Sequence, residues 1–210
     1  MMAKAATTPQ EAFWSGEFGD EYTVRNDGAQ WIASNAALFS RVLNSAGPVK
    51  SAIEFGANRG LNLQALRLLS PKMEIAGVEI NEKAVAELKK LPGIEVHHKS
   101  VFDYVPEKKY ELSLIKGVLI HINPDRLADV YRVLYESSSR YVCIAEYYNP
   151  SPVTIPYRGH TDVLFKRDFA GEMMKLYPDL RIRDYGFVYH GDPNFPQDDI
   201  TWFLLEKAQS

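Results

Sequence analysis

Apolar and polar positions along the chain follow two periods, one typical of helices and one typical of buried strands. Residues 28–46 carry apolar side chains at helical spacing, and the Gly47-Pro48 pair predicts the end of that helix. Short apolar runs then predict strands at 51–55, 74–79, 94–98, 111–116 and 141–146. Helices are predicted between them at 61–69, 82–90 and 124–136. Buried strands that alternate with helices predict a mostly parallel sheet covered on both faces.

The pattern changes after Glu146. Residues 147–165 contain several prolines and no clear period, so we predict that this segment is a cap inserted over the substrate. A helix is predicted at 166–176, and two further strands at 181–190 and 200–205 enclose a turn-rich connection. The expected fold class is therefore α/β, with a Rossmann-like, seven-stranded, mostly parallel sheet, helices on both faces and a C-terminal antiparallel hairpin.

Length and composition favour one ordinary domain with an elaboration. The chain has 210 residues, of which 46% are hydrophobic and 24% are charged. We expect a flexible N-terminus at 1–10, a helical lid at 11–46 and the main domain at 47–207.

Charge and cysteine content indicate which partners and which cellular compartment to expect. The net charge of −3 gives no global indication of a nucleic-acid or membrane partner, although a local basic patch is left open. Residues 1–10 lack an apolar signal core, and no segment has 18 uninterrupted apolar residues. Cys143 lies in an apolar run and is expected to pack as a small hydrophobe. These features together predict a protein of the reducing cytoplasm.

The segment 54–60 carries the first functional motif, with the spacing Glu-x-Gly-x-x-x-Gly between a predicted strand and a predicted helix. Gly56 lets the backbone approach a ligand, Gly60 opens the helix, and Asn58 lies in the same turn. Glu54, just inside the strand, is a candidate partner for a cationic amine. This spacing favours S-adenosylmethionine over a dinucleotide. A turn in an unrelated α/β protein is the alternative.

Further candidates follow the ends of other strands. Glu79 ends Ala-Gly-Val-Glu about twenty residues downstream, where a carboxylate can accept both ribose hydroxyls. Lys116 and Gly117 end the fourth strand, and Gly117 frees the backbone beside the nucleoside. His121 brings an imidazole near the reaction and is the first candidate general base, with Glu146 the second. The alternative for His121 is a purely structural histidine, and the alternative for Glu79 is a solvated acid at a strand end.

These motifs and the final hairpin resemble the class I S-adenosylmethionine-dependent methyltransferases over about residues 50–206. A closer resemblance, to the methylases associated with pseudaminic acid biosynthesis, rests on the segments 13–26, 117–125, 145–153 and 198–207. Those are small proteins encoded with bacterial sugar-modification pathways. The resemblance implies S-adenosylmethionine as cofactor and methyl transfer to a nitrogen or oxygen of a small polar acceptor, such as a sugar or nucleotide-sugar.

Further contacts with the cofactor are predicted after the third strand and in the N-terminal segment. Ser100 and Val101 follow the third strand, where class I methyltransferases often carry an Asp that accepts a bond from the adenine amino group. Ser100 is uncharged and is expected to help less. Trp14, Tyr22 and Arg25 are expected to form a lid, with aromatic faces for the sulfonium and a guanidinium for the methionyl carboxylate. The alternative is that the aromatic residues only pack an extra helix onto the sheet.

The acceptor side is predicted at the end of the fifth strand and in the cap. The candidate residues there are Tyr147, Tyr148, Asn149, Tyr157, Arg158 and His160. Polar aromatic residues beside amide and cationic groups suit a hydroxyl-rich or amine-bearing molecule, and an ordinary prolyl loop is the alternative. No metal site is predicted, because Asp198-Asp199 lacks further ligands at a coherent spacing.

Two other functions are left open. The chain can catalyse another reaction of S-adenosylmethionine, either aminocarboxypropyl transfer or cyclisation. It can also be a non-catalytic protein that binds the cofactor or a partner enzyme of the pathway. We expect a small-molecule acceptor, no nucleic acid and no membrane, and a homodimer is left open.

Overall fold

A computed structural model of the chain describes residues 8–25, 28–156 and 164–208. The strands in these ranges are β1 Ser51–Phe55, β2 Glu74–Glu79, β3 Ile94–His98, β4 Tyr110–Lys116, β5 Ser138–Glu146, β6 Val153–Thr154, β7 Phe165–Lys166, β8 Leu180–Val188 and β9 Ile200–Lys207. Seven of them form one sheet in the order β3-β2-β1-β4-β5-β9-β8. Strands β1 to β5 pair in parallel, and β9 is antiparallel to β5 and β8. The predicted fold class is confirmed.

The helices cover both faces of this sheet. They are α1 Pro9–Ser15, α2 Glu17–Arg25, α3 Ala29–Ala46, α4 Leu61–Leu69, α5 Glu82–Leu88, α6 Leu127–Ser137 and α7 Phe169–Leu176. Helices α3, α4 and α5 pack on one face, and α6 and α7 pack on the other. None of the described helices combines the length and the apolar character that crossing a membrane requires.

The alternation of side chains along each strand divides the core in two. In β1, Ile53 and Phe55 face the core beneath α6 and α7, whereas Ala52 faces the core beneath α3, α4 and α5. Glu54 points to the same side as Ala52, so its fully buried carboxylate lies between β1 and α4. The sheet therefore carries an acid inside its core, directly behind the carboxyl edge.

Three predicted helix boundaries are wrong, each for a local reason. α5 ends at Leu88 rather than at residue 90. The backbone amides of Lys90 and Leu91 donate to carbonyls three residues back, as in a 3-10 turn. The helix predicted at 124–136 begins as a 3-10 turn and becomes α6 only at Leu127. The helix predicted from Lys166 starts at Phe169, since Lys166 pairs in β7 and Asp168 caps α7.

The N-terminal helix begins earlier than predicted. The Thr8 hydroxyl accepts a hydrogen bond from Glu11 N, and Glu11 Oε2 accepts one from Thr8 N, each at 3.1 Å. This capping box starts α1 at Pro9, inside the segment expected to be flexible. α1 and α2 lie over the carboxyl edge of the sheet, where Asp20 of α2 pairs with Lys83 of α5 at 2.6 Å.

Gly186 of β8 lies opposite Trp202 of β9, and a Cβ at Gly186 would stand 2.9 Å from the indole atoms. Because Trp202 is only 2% exposed, it has little room to move. We expect Gly186→Val to lower the free energy of unfolding by about 1–3 kcal/mol, since overpacking outweighs the strand preference of valine. Urea denaturation measures the change. Phe187→Val, at an exposed position of the same strand, is the control, and equal losses in both variants would contradict this expectation.

Candidate functional site

A cavity lies at the carboxyl ends of β1, β2 and β4, beneath α1 and α2. Parallel strands bring their carboxyl ends to one edge, so residues far apart in sequence meet there. The predicted residues that line it are Trp14, Gly56, Asn58, Glu79, Ser100, Val101, Lys116, Gly117 and His121. Within the described ranges, no group of three His, Cys, Asp or Glu side chains is placed to hold a metal ion.

The turn between β1 and α4 forms one wall of the cavity. Gly56 and Asn58 have positive φ angles of 75° and 47°, in a region that glycine and asparagine adopt most readily. Gly56 N donates to Val78 O at 2.9 Å, which ties the turn to β2. A Cβ at Gly56 would overlap Val118 Cγ2, so the missing side chain lets the turn touch the segment that follows β4.

Gly60 is placed behind this wall rather than on it. It is the N-cap of α4 with a φ of 82°, and a Cβ there would stand 2.6 Å from Leu88 and 2.7 Å from Leu91. Glycine at this position therefore allows α4 to start close against α5. Gly60 is not among the described residues that line the cavity, so the structure does not place it against a ligand there.

The Glu79 carboxylate joins the two turns that flank the cavity. Its Oε2 accepts from Asn58 N at 2.7 Å, and its Oε1 accepts from Ile80 N and Asn81 N at 2.8 and 2.7 Å. Burial raises the pKa of Glu79, although the three backbone donors oppose that shift. A carboxylate has about four acceptor positions. Three of these positions are occupied by backbone amides, so about one is left for the ribose hydroxyls expected at Glu79.

Glu54 lies beneath the cavity, not on its surface. Its Oε1 accepts from Asn62 Nδ2, and Asn62 itself lines the cavity. Among the described residues, Glu54 Oε2 and Asn62 Oδ1 are buried without a hydrogen-bond partner. Burial raises the pKa of Glu54 to about 8. An amine that reaches this part of the cavity would therefore meet Asn62 first and Glu54 behind it.

Three cationic side chains in the described part of the chain line the same cavity: Lys99, Lys116 and Arg59. Lys116 ends β4, and burial lowers its pKa, while the carboxylates of Glu54, Asp198 and Glu146 act in the opposite direction. Arg59 follows Asn58 in the first turn, and its guanidinium donates to Thr23 O of α2 at 3.4 Å. The cavity thus offers positive charge beside buried acceptors, which suits a ligand with both a carboxylate and an amine.

His121 contacts helix α1 directly. It lies in a 3-10 turn after β4 and is 7% exposed, with its ring centroid 4.5 Å from that of Trp14. The predicted lid residue and the predicted base therefore form one wall. This contact gives His121 a packing role in addition to any role in proton transfer.

Glu146 is placed under the turn that carries His121. The Glu146 Oε1 atom accepts from Val118 N and Leu119 N, both at 2.9 Å, and the side chain is 2% exposed. Burial raises its pKa to about 7. The expected second general base does not line the cavity in the described part of the chain. Its contacts instead fix the backbone between Gly117 and His121.

The acceptor-side candidates are not gathered at this cavity. Tyr147 packs against both hydrophobic cores, Tyr148 is exposed, and Asn149 hydrogen-bonds within its own loop. The remaining predictions, which concern the side chains of Tyr22 and Arg25 and the whole of Tyr157, Arg158 and His160, lie outside the described residues.

The lining residues that the sequence does not single out as ligands include Glu11, Trp31, Asn35, Arg59, Asn62 and Asp198. For three of them, the sequence contains a spacing that indicates their local position. Thr8-Pro9-Gln10-Glu11 has the spacing of a capping box, and Trp31 and Asn35 lie four residues apart on one face of α3. The others depend on how distant segments fold together.

No protein-family model and no curated protein sequence matches the chain. Solved structures match its fold over almost the whole chain. A 1,6-didemethyltoxoflavin N1-methyltransferase from Burkholderia thailandensis, with S-adenosylhomocysteine bound, has a TM-score of 0.70 at 12% identity, covering 99% of this chain and 94% of its own. The magnesium protoporphyrin IX methyltransferase of Synechocystis PCC 6803, with S-adenosylmethionine bound, has a TM-score of 0.67 at 12% identity, covering 98% and 100%.

A third similar structure is an amino pentose methyltransferase from Micromonospora echinaspora, involved in calicheamicin biosynthesis, with S-adenosylmethionine bound. Its TM-score is 0.63 at 10% identity, and the match covers 91% of this chain and 96% of that one. The chain has the fold of class I methyltransferases. The narrower resemblance to the pseudaminic-acid-associated methylases stays a prediction.

The buried Glu54 makes stability depend on pH. Its folded pKa of about 8 lies above the value near 4.3 expected in the unfolded chain, so the folded protein holds an extra proton between these values. Stability should therefore fall as pH rises through this window. Glu54→Gln removes the titration and keeps an acceptor for Asn62. We expect the melting temperature of the variant, relative to wild type, to rise between about pH 5.5 and about pH 8.5.

Thermal melts of both proteins across that range measure the effect. Glu107→Gln, which changes an exposed acid, is the control and should follow wild type at every pH. A Glu54→Gln difference that stays constant with pH would refute the assignment.

Proposed function

We propose that the chain transfers the methyl group of S-adenosylmethionine to a nitrogen or oxygen of a small polar acceptor, a sugar or nucleotide-sugar of a bacterial glycan pathway. The observation that carries this proposal is the Glu79 carboxylate bonded to the left-handed turn after β1, at the edge of the cavity. The fold supports it, as do the ligands named with the similar structures. The amino pentose methyltransferase among them supports a sugar acceptor.

The groups around the cavity fit the amino-acid end of this cofactor. Buried Glu54 Oε2 and Asn62 Oδ1 have no described donor, and an ammonium group would supply donors on that side. Arg59 and Lys116 supply positive charge for a carboxylate. A Cβ at Gly117 would meet no atom within 4 Å, so the backbone there borders open space.

When bound, S-adenosylmethionine supplies an electrophilic methyl group on a sulfonium. The protein holds the two reactants at the distance and orientation needed for attack, which can lower the barrier by up to about 7–11 kcal/mol. Trp14 and Val118 offer apolar walls that exclude water from this edge. His121 takes the acceptor proton in our proposal, and Glu146 positions it by holding the turn beneath it.

Substitutions of His121 separate its two roles. His121→Phe keeps an aromatic ring against Trp14 but removes the proton acceptor, whereas His121→Ala removes both. We expect both variants to lose turnover by about 10²–10⁴-fold for a hydroxyl acceptor, with cofactor affinity nearly unchanged in His121→Phe. Steady-state kinetics and calorimetry measure the two quantities. If His121→Phe keeps wild-type turnover, His121 serves only to pack the lid.

Product analysis tests the reaction itself. The protein is incubated with S-adenosylmethionine, with and without sugar and nucleotide-sugar acceptors, and the products are identified by mass spectrometry. We expect S-adenosylhomocysteine only when an acceptor is present. Methylthioadenosine formed from the cofactor alone would instead indicate aminocarboxypropyl transfer or cyclisation. An absence of cofactor binding in calorimetry would favour the non-catalytic alternative.

A further inference from the structure

Helix α1 contributes a carboxylate to the cavity wall beside the segment that follows β3. Glu11 lines the cavity and is 8% exposed. Its Oε1 accepts a hydrogen bond from the hydroxyl of Ser100, a residue 89 positions further along the chain. An acid on the lid and a hydroxyl on the main domain therefore form one buried polar pair.

The hydrogen bonds of Ser100 limit what this residue can offer a ligand. Its hydroxyl donates to Glu11 and accepts from Phe102 N at 3.2 Å. A hydroxyl has one proton and two lone pairs, so about one neutral acceptor position remains. Hydrogen bonds to an ionised acceptor are roughly twice as strong as neutral ones. The stronger acceptor at this corner is Glu11.

The position of the pair relative to Glu79 indicates which part of a nucleoside it faces. Glu79 ends β2 and lies opposite His98, the last residue of β3, so the wall at 99–102 is adjacent to Glu79 along the sheet edge. A ribose at Glu79 would direct its base towards this wall. Val101 and Phe102 give the wall apolar surface for a flat ring, with the Glu11 and Ser100 pair at its polar corner.

We infer that Glu11 is the residue that selects adenine, by accepting a hydrogen bond from its exocyclic amine. This inference rests on the proposed function. A carboxylate at this position attracts a donor and repels the oxo group of a hypoxanthine or guanine ring. Because Glu11 lies on α1 and is bonded to Ser100, the base would contact the covering helix and the segment after β3 together. The base is thus read by a helix that precedes the main domain.

Glu11 also caps its own helix through Thr8, so the test must separate selection of the base from stability of the helix. The probes are S-adenosylhomocysteine and S-inosylhomocysteine; in the second, an oxo group replaces the exocyclic amine and the adjacent ring nitrogen carries a proton. Calorimetry on the full chain gives both affinities. We expect wild type to prefer the adenine ligand by about 10- to 100-fold.

Glu11→Gln should reduce this preference to within about threefold, because the amide can donate to an oxo group as well as accept from an amine. Ser100→Ala should keep the preference, since Glu11 remains. Thr8→Val removes the side-chain cap but leaves the acid, so it should weaken both ligands equally. Glu17→Gln, at an exposed position of α2, controls for loss of negative charge on the lid and should keep the preference.

Several outcomes would overturn the inference. One is a wild-type protein that binds both ligands equally, and another is a Glu11→Gln variant that keeps the wild-type preference. Loss of the preference in Ser100→Ala would assign selection to Ser100 instead, and this variant decides the question even if Glu11→Gln does not fold. If wild type binds neither ligand, the proposed function fails and the inference fails with it.

Discussion

The carboxylate of Glu79 is the interaction on which the arrangement of the site depends. It receives backbone N–H groups from the turn after β1 and from the turn after β2, and so fixes the distance between them. Asn81, in the second turn, caps α5 and donates to Asp20 of α2 at 2.9 Å. One buried acid thus connects two strands, a helix start and the covering helices. Because hydrogen bonds in a buried setting are strong, this acid holds the turns around the cavity in place.

Buried acids recur at the ends of the central strands, and they act through the backbone. Glu146 holds the turn after β4 as Glu79 holds the turn after β1, while Glu54 reaches the cavity only through Asn62. Burying a carboxylate is costly unless donors surround it, which explains why Glu79 and Glu146 lie next to turn amides and Glu54 next to the Asn62 side chain. The residues that carry a ligand are then the turns themselves and the side chains that project from them.

The sequence predicts the strands and helices of the core well, because their periodic apolar patterns are long and end at glycine or proline. β1, β2, β3 and α4 have the predicted bounds. The site is harder to predict, since adjacency to a strand end does not say towards which face a side chain points. Glu146 ends β5 and Tyr147 follows it, as predicted, yet neither lines the cavity described. The capping-box spacing marks Glu11 only as part of a helix start, because its place at the cavity depends on the tertiary contact with Ser100.

The insertion of β9 between β5 and β8 has a consequence for how the chain folds. β8 precedes β9 in sequence but contacts the sheet through it, since its ladder pairs only with β9 among the described strands. Until β9 is made and docked, β5 is an open edge with unpaired backbone groups along its length. Non-local pairing of this kind slows folding, and intermediates with unpaired strand edges are prone to aggregation. A folding intermediate that lacks β9 would therefore expose β5 as a sheet edge open to aggregation.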